Sequence, residues 1–278
     1  MDSSTRRPTT QPLTVEPVRA FEDNYVWVLC RGADAVVVDP GDAAPVARAL
    51  AERALRLGAI LLTHHHADHV GGVGALVAAH DAPLPVFGPV GEDIAGVTQR
   101  LHGGDRFALD AIGASFEVLD VPGHTRGHIA FVATVDGVDG RSTGVPLLFC
   151  GDTLFAGGCG RLFEGTAAQM HASLSRLAAL PPETRVYCAH EYTASNLRFA
   201  KAVEPDSGAL ADRIAATDVL RRRDEPTLPS TIAVERATNP FLRVDEPSVR
   251  AAAERRTAGA SASALATFTA LRLWKDRF

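Results

Sequence analysis

The sequence predicts an α+β chain, with a mixed α/β domain over residues 13–190 followed by an all-helical domain over residues 191–278. Three observations predict it. Short apolar runs bounded by turn residues alternate with helical periodicity up to about residue 190. Four of those runs end in a histidine or an aspartate. Beyond Glu191 the periodicity is helical, with breaks around Pro205 and Gly208, and no run after Ile232-Ala233-Val234 reads as a strand.

Taken in order, Leu13 to Val18, Tyr25 to Cys30 and Ala35 to Val38 read as strands, the first two joined by the turn-prone Glu22-Asp23-Asn24. Asp39-Pro40-Gly41-Asp42 ends the third, and Asp39 either orients a ligand histidine or caps the helix that follows. That helix runs from Pro45 to Leu57 and stops at Gly58. The apolar run Ala59 to Leu62 then leads into Thr63-His64-His65-His66-Ala67-Asp68-His69, around which the chain is organised. A helix from Val73 to His80 and strands at Val86-Phe87, Phe107 to Leu109 and Ser115 to Leu119 follow, and the last of these leads to Gly123-His124-Thr125-Arg126-Gly127-His128. Leu147 to Cys150 delivers Asp152, and Arg185 to Ala189 delivers His190. Strands that each present such a side chain at the tip imply one shared sheet edge, where loops converge on a site. In the second domain Tyr192 to Val203, Ala209 to Arg223, Ser248 to Arg256 and Ala260 to Lys275 read as helices, with a loop at Pro226 to Pro229.

Composition narrows the function classes. With 46% hydrophobic and 22% charged residues the chain is globular rather than disordered. A formal charge of −5 argues against a non-specific nucleic-acid binder, which needs a dense basic surface. The chain lacks 18 consecutive apolar residues, so no membrane span is expected. Cys30, Cys150, Cys159 and Cys188 are scattered and are expected to be free thiols in a reducing, cytoplasmic compartment. Met1 to Pro12, rich in Ser, Thr, Arg and Pro, reads as a disordered tail without the apolar core of a secretory signal.

The chemistry rests on the histidines. Alternation along an extended segment puts His64 and His66 on one side, whereas Asp68 and His69 come as the chain turns and suit a second ion. With the three later strand tips, seven ligands emerge: His64, His66 and His124 for one ion, Asp68, His69 and His190 for the other, and Asp152 between them. Imidazole and carboxylate without thiolate suit two divalent ions at open positions, zinc first, with iron or manganese as alternatives. Two such ions can bring a shared water's pKa from near 16 toward about 7, which makes a nucleophile for hydrolysis. Asp68 and Asp152 are the carboxylates expected to take part in catalysis. His65 is expected to be structural or solvent-facing, and His128 to brace the His124 loop or simply to pack.

These residues resemble the metallo-β-lactamase superfamily, and the blocks THHHADHVGG (residues 63–72), GHTRGH (123–128), GDTLFAGGCGRLFEG (151–165), YCAHEYT (187–193), NPFLRV (239–244) and LRLWKDRF (271–278) look like glyoxalase II, the hydroxyacylglutathione hydrolases. The resemblance implies an αββα sandwich with a binuclear centre and a C-terminal helical domain that helps bind glutathione. It implies hydrolysis of S-D-lactoylglutathione to D-lactate and glutathione, a small-molecule substrate rather than nucleic acid or membrane, and a monomer. By position against the family's motifs, Arg161, Tyr192, Arg272 and Lys275 would contact the glutathione moiety. Arg161 stands where many members have Lys and Phe163 where many have Tyr, which removes one hydroxyl contact and predicts weaker substrate binding. A one-iron dioxygenase, a lactonase, an RNA-processing nuclease and a non-catalytic metal binder on this scaffold are the alternatives.

Overall fold

The N-terminal strands are apolar at consecutive positions because both of their faces are covered. The computed structural model describes residues 11–135 and 144–278. After β1 (Thr14–Ala20), β2 (Asn24–Arg31) sends Trp27 and Leu29 into one core and Val26, Val28 and Cys30 into another. β3 (Asp34–Val38) divides Val36 and Val38 from Ala35 and Val37 in the same way. α1 (Ala43–Glu52) returns the chain to β4 (Arg56–Leu61), which runs parallel to β3. α2 (Ala67–Val70) and α3 (Val73–Ala78) precede β5 (Val86–Pro89) and β6 (Gln99–Leu101). These strands form one sheet in the order β1-β2-β3-β4-β5-β6. Val46 and Leu50 of α1 with Val73 and Leu76 of α3 cover its outer face.

The second sheet comes from β7 (Arg106–Leu109), β8 (Ala114–Asp120), β9 (Ile129–Val135) and β10 (Leu147–Gly151). A small hairpin of β11 (Leu154–Phe155) and β12 (Gly158–Cys159) leads to α4 (Ala167–Ala178) and β13 (Arg185–Cys188). The rest is helical apart from one short strand: α5 (Thr193–Val203), α6 (Gly208–Arg222), the strand β14 (Ser230–Thr231), α7 (Ile232–Thr238), α8 (Pro247–Arg256) and α9 (Ala264–Lys275). The sheet order is β14-β13-β10-β9-β8-β7. The sheets meet through aromatic pairs: Trp27 stands edge-on to Tyr187 with ring centroids 4.9 Å apart, and Phe87 stacks on Phe107 at 4.5 Å. Met170, Leu174 and Leu177 of α4 and Phe268 and Leu271 of α9 belong to the same core, so helices flank both sheets as in an αββα sandwich.

The helical tail also grips the hairpin. Fully buried Glu235 accepts a hydrogen bond from the Gly157 N–H at 2.8 Å, and the Asn239 amide donates to the Phe155 and Gly158 carbonyls.

Several elements differ from expectation. The helix expected to reach Leu57 ends at Glu52, because Ala54 adopts φ 50° and Leu55 N–H bonds back to the Leu50 carbonyl, a left-handed helix stop. Arg56 and Leu57 are thereby released to pair with β3. Ile232-Ala233-Val234 is the first turn of α7, capped by the Thr231 hydroxyl, and the strand is the preceding dipeptide. That strand pairs with β13, so the part of the chain after residue 190 supplies the edge of the second sheet. β6, β9, α2 and α4 go beyond the expected elements; a capping box at Thr166 and Gln169 marks α4 in the sequence. Of the expected disordered tail, residues 1–10 lie outside the described residues.

Phe131 is fully buried in the core between these layers. Phe131→Ala is expected to cost about 3–5 kcal/mol through lost burial and the cavity left behind. Urea unfolding followed by circular dichroism checks this, and a loss under about 1 kcal/mol would show that the inter-sheet core collapses around the gap.

Candidate metal centre

Three strand tips of the second sheet and one of the first converge. After β4, Thr63 is fixed by Asp39, whose Oδ1 accepts the Thr63 N–H at 2.8 Å and whose Oδ2 accepts its hydroxyl at 2.7 Å. Asp39 adopts φ 52°, and the turn it opens lies so close to the histidine loop that a Cβ on Gly41 would meet the Asp68 carbonyl oxygen at 1.8 Å. His66 is extended and precedes α2, so Asp68 and His69 leave the strand alternation in a helical turn, which still brings the His69 ring to 4.0 Å from that of His64. His190 is held by strand-like pairing with Asn24, with Tyr25 N–H donating to the Ala189 carbonyl at 2.7 Å.

All seven predicted ligands come together. His66 Nδ1 lies 3.0 Å from both His64 Nε2 and His124 Nε2. Asp152 Oδ2 is 3.4 Å from His124 Nε2, while its Oδ1 is 3.5 Å from His69 Nε2 and 3.3 Å from His190 Nε2. Asp68 Oδ2 is 3.5 Å from the Nε2 atoms of both His69 and His190. The ligand atoms fall into three overlapping groups, His64-His66-His124, His64-His69-Asp152 and Asp68-His69-His190, each within 4.8 Å. One carboxylate, Asp152, thus spans two half-sites.

The far side of each ring fixes which nitrogen is free. The Thr63 hydroxyl gives its proton to Asp39, so at 3.1 Å it accepts from His64 Nδ1. His124 Nδ1 donates to the Arg161 carbonyl at 2.9 Å, His69 Nδ1 to Asp39 at 3.1 Å, and His190 Nδ1 to Asp23 at 2.8 Å. Nε2 of those rings faces the centre, and His66 presents Nδ1. Asn24 donates to Asp68 Oδ2 at 3.0 Å.

Electrostatics points the same way. Burial, then the neighbouring imidazoles, pushes His64 well below its ordinary pKa; burial lowers His66 and His124 as well, so all three offer lone pairs at neutral pH. Burial would raise the Asp152 carboxyl, but His69, His190 and His124 outweigh it and hold it far below the usual carboxylate range. Burial opposes charge on His69, yet Asp152, Asp39 and Asp68 raise its pKa well above normal. His69 Nε2 and Asp152 Oδ1 are buried without a hydrogen-bond partner among the described residues. An unpartnered ring nitrogen and an unpartnered carboxylate oxygen 3.5 Å apart, in a nitrogen and oxygen set free of thiolate, fit two divalent cations.

A cavity of ≈ 430 Å³ opens beside the cluster, with His124 and Asp152 on its wall together with Arg161, Tyr192, Arg272 and Lys275. Tyr192 lies flat on His190, with centroids 4.7 Å apart at 5°. Arg272 is buried and engaged, donating to the Cys159 carbonyl at 2.9 Å and pairing with Asp276 at 2.9 Å, so it braces the hairpin as well as lining the cavity. Burial, then Arg272, Arg198 and Arg161, lowers Lys275 to about 8. Phe163 is exposed and stands edge-on to His66 and His124.

Asp39 contacts His69, and it is Asp42 that caps α1. His128 stacks on His64 at 4.5 Å and its Nε2 accepts the Asp152 N–H at 3.2 Å, so it supports these two rather than the His124 loop. Asp23 and Asn24 were legible only as turn residues; nothing local distinguishes a carboxylate that bonds a histidine 167 positions away.

Residues 20–190 match the metallo-beta-lactamase superfamily model and residues 191–278 the model described as hydroxyacylglutathione hydrolase C-terminus. The chain is 59% identical over 271 residues to a hydroxyacylglutathione hydrolase of Cupriavidus taiwanensis, covering 96% of this chain and 99% of that one. It is 52% identical over 269 residues to one of Pseudomonas aeruginosa, covering 96% and 100%. Among solved structures it resembles ETHE1 from Myxococcus xanthus (TM-score 0.54, 29% identity, 81% of this chain and 96% of that one). It shares its fold with the BLEG-1 B3 metallo-beta-lactamase (TM-score 0.59, 23% identity, 83% and 99%).

Removing the spanning carboxylate should uncouple the half-sites. Purified Asp152→Ala is expected to retain at most one equivalent of metal by elemental analysis, against two for the unaltered protein; two equivalents in the variant would exclude a bridging role.

Proposed function

The chain belongs to the hydroxyacylglutathione hydrolase family of the metallo-β-lactamase superfamily and is a thioester hydrolase, and on that premise we propose that it cleaves S-D-lactoylglutathione to D-lactate and glutathione at a binuclear centre. The observation that carries this reading is the cationic cavity opening directly onto the histidine cluster. Glutathione bears two carboxylates, and Arg161, Arg272 and Lys275 line that cavity. A thioester anchored there by its peptide would bring its acyl carbon to the cluster.

His64, His66 and His124 would hold one cation and Asp68, His69 and His190 the other, with Asp152 shared. When bound, two divalent cations, zinc first and iron or manganese as alternatives, supply an acidified water at neutral pH and stabilisation of charge developing on the carbonyl oxygen. Asp68, held ionised chiefly by the adjacent His69 imidazole 3.5 Å away and steadied by Asn24, presents an acceptor that can orient the attacking water's proton. Arg161 and Lys275 would bind the peptide carboxylates. Tyr192, whose pKa is raised by burial and nearby carboxylates, keeps its phenolic proton and can donate to the substrate. The leaving thiol has a pKa of about 8–9, so the thiolate departs without a dedicated acid.

Elemental analysis beside a cleavage assay with S-D-lactoylglutathione tests the reading: about two metals per chain and thioester turnover are expected, and metal without turnover would overturn it. Lys275→Met is expected to raise KM about tenfold, the scale of a lost charge-assisted contact, with kcat within about twofold. Because Lys275 is charged below about pH 8 and neutral above it, KM should rise as pH passes that value in the unaltered enzyme and stay flat in Lys275→Met. The same rise in both proteins would remove Lys275 from the substrate site.

A further inference from the structure

Glu92 lies on the loop between β5 and β6, distant in sequence from every ligand, yet its side chain is only 2% exposed. Its carboxylate is shared between the two loops that carry the three-histidine half-site. Oε2 accepts from the His65 N–H at 2.5 Å and lies 2.7 Å from His65 Nδ1, gripping the residue between His64 and His66. Oε1 accepts from the Thr125 hydroxyl and from the Gly127 N–H at 3.1 Å, gripping the segment that follows His124. The fit is tight: a Cβ on Gly127 would stand 2.5 Å from Glu92 Cγ. Glu164 adds a weaker second tie, 3.3 Å from His65 Nε2 and accepting from the Arg126 N–H at 3.0 Å.

We infer that Glu92 is a positioning residue that sets the spacing of His64 and His66 against His124, and so tunes the three-histidine half-site selectively. The inference rests on the binuclear reading above. Only a carboxylate accepts at both ends. An amide in its place turns an NH2 group toward either the His65 or the Gly127 N–H, and one loop is released. The half-site of Asp68, His69 and His190 is anchored instead by Asp39, Asp23 and Asn24, none of which Glu92 contacts among its hydrogen bonds.

The test is Zn(II) affinity of chelator-stripped protein, read by competition with a chromophoric chelator. In a His190→Ala background, which keeps the three-histidine half-site, Glu92→Gln is expected to weaken binding about 10–100-fold, the usual scale for losing a group that orients ligands. In a His124→Ala background the same change should leave affinity within about twofold. Equal weakening in both backgrounds, the signature of a general folding defect, overturns the inference, as does no effect in either. His65→Ala, which keeps the His65 N–H bond but removes the ring contacts to Glu92 Oε2 and to Glu164 on the same histidine loop, serves if Glu92→Gln does not fold; it should show the same selectivity at smaller size, and its absence is equally fatal. Fewer than two Zn(II) equivalents in the unaltered protein would instead refute the binuclear reading itself.

Discussion

An imidazole nitrogen bearing a lone pair is repelled by another such nitrogen 3 Å away, and this chain sets several such atoms against one another with two carboxylates in a buried space. That arrangement is held from behind. Asp39, Asp23, Thr63 and the Arg161 carbonyl occupy the outer nitrogens of four rings, so those rings cannot turn away to relieve the crowding. Cations would complete it: the raised pKa of His69 and the orphaned Asp152 Oδ1 record the charge balance the cluster strikes with protons alone.

The two sheets make the convergence possible because they share one core. Trp27 ties them directly, donating its indole N–H to the Cys188 carbonyl at 3.0 Å, two residues before His190. On the other side the helical tail holds the β11–β12 hairpin through Glu235 and Asn239 and, through Arg272, the backbone of Cys159 and Gly160. Asp152 precedes that hairpin and Arg161 follows it. The tail therefore shapes both the Asp152 side and the Arg161 side of the cavity, and its own Arg272 and Lys275 line that cavity beside the cluster.

The clustered histidines and aspartates were legible because each group follows an apolar run, a local signal, and because His64-x-His66-x-Asp68-His69 is a dense run of ligand-type side chains. The anchors were not. Asp23, Glu92 and Asp39 reach partners through space, and a carboxylate in a turn carries no mark of what lies opposite it. Among elements, the run Ile129 to Ala133 of β9 is apolar at every position, so its sequence shows no alternation to tell strand from helix, and the end of α1 is masked because Leu50 and Leu57 keep helical spacing although Leu57 belongs to β4. Arg272 was legible as a cation, whereas its engagement with backbone carbonyls required the fold.

The central claim is that these side chains exist to hold two ions bridged by one carboxylate. Anomalous X-ray diffraction at the absorption edge of the bound metal, on crystals of the protein as purified, tests it most directly. The account predicts two peaks about 3.5–4 Å apart, with Asp152 between them. A single peak, or peaks away from His64, His66, His69, His124 and His190, would contradict it.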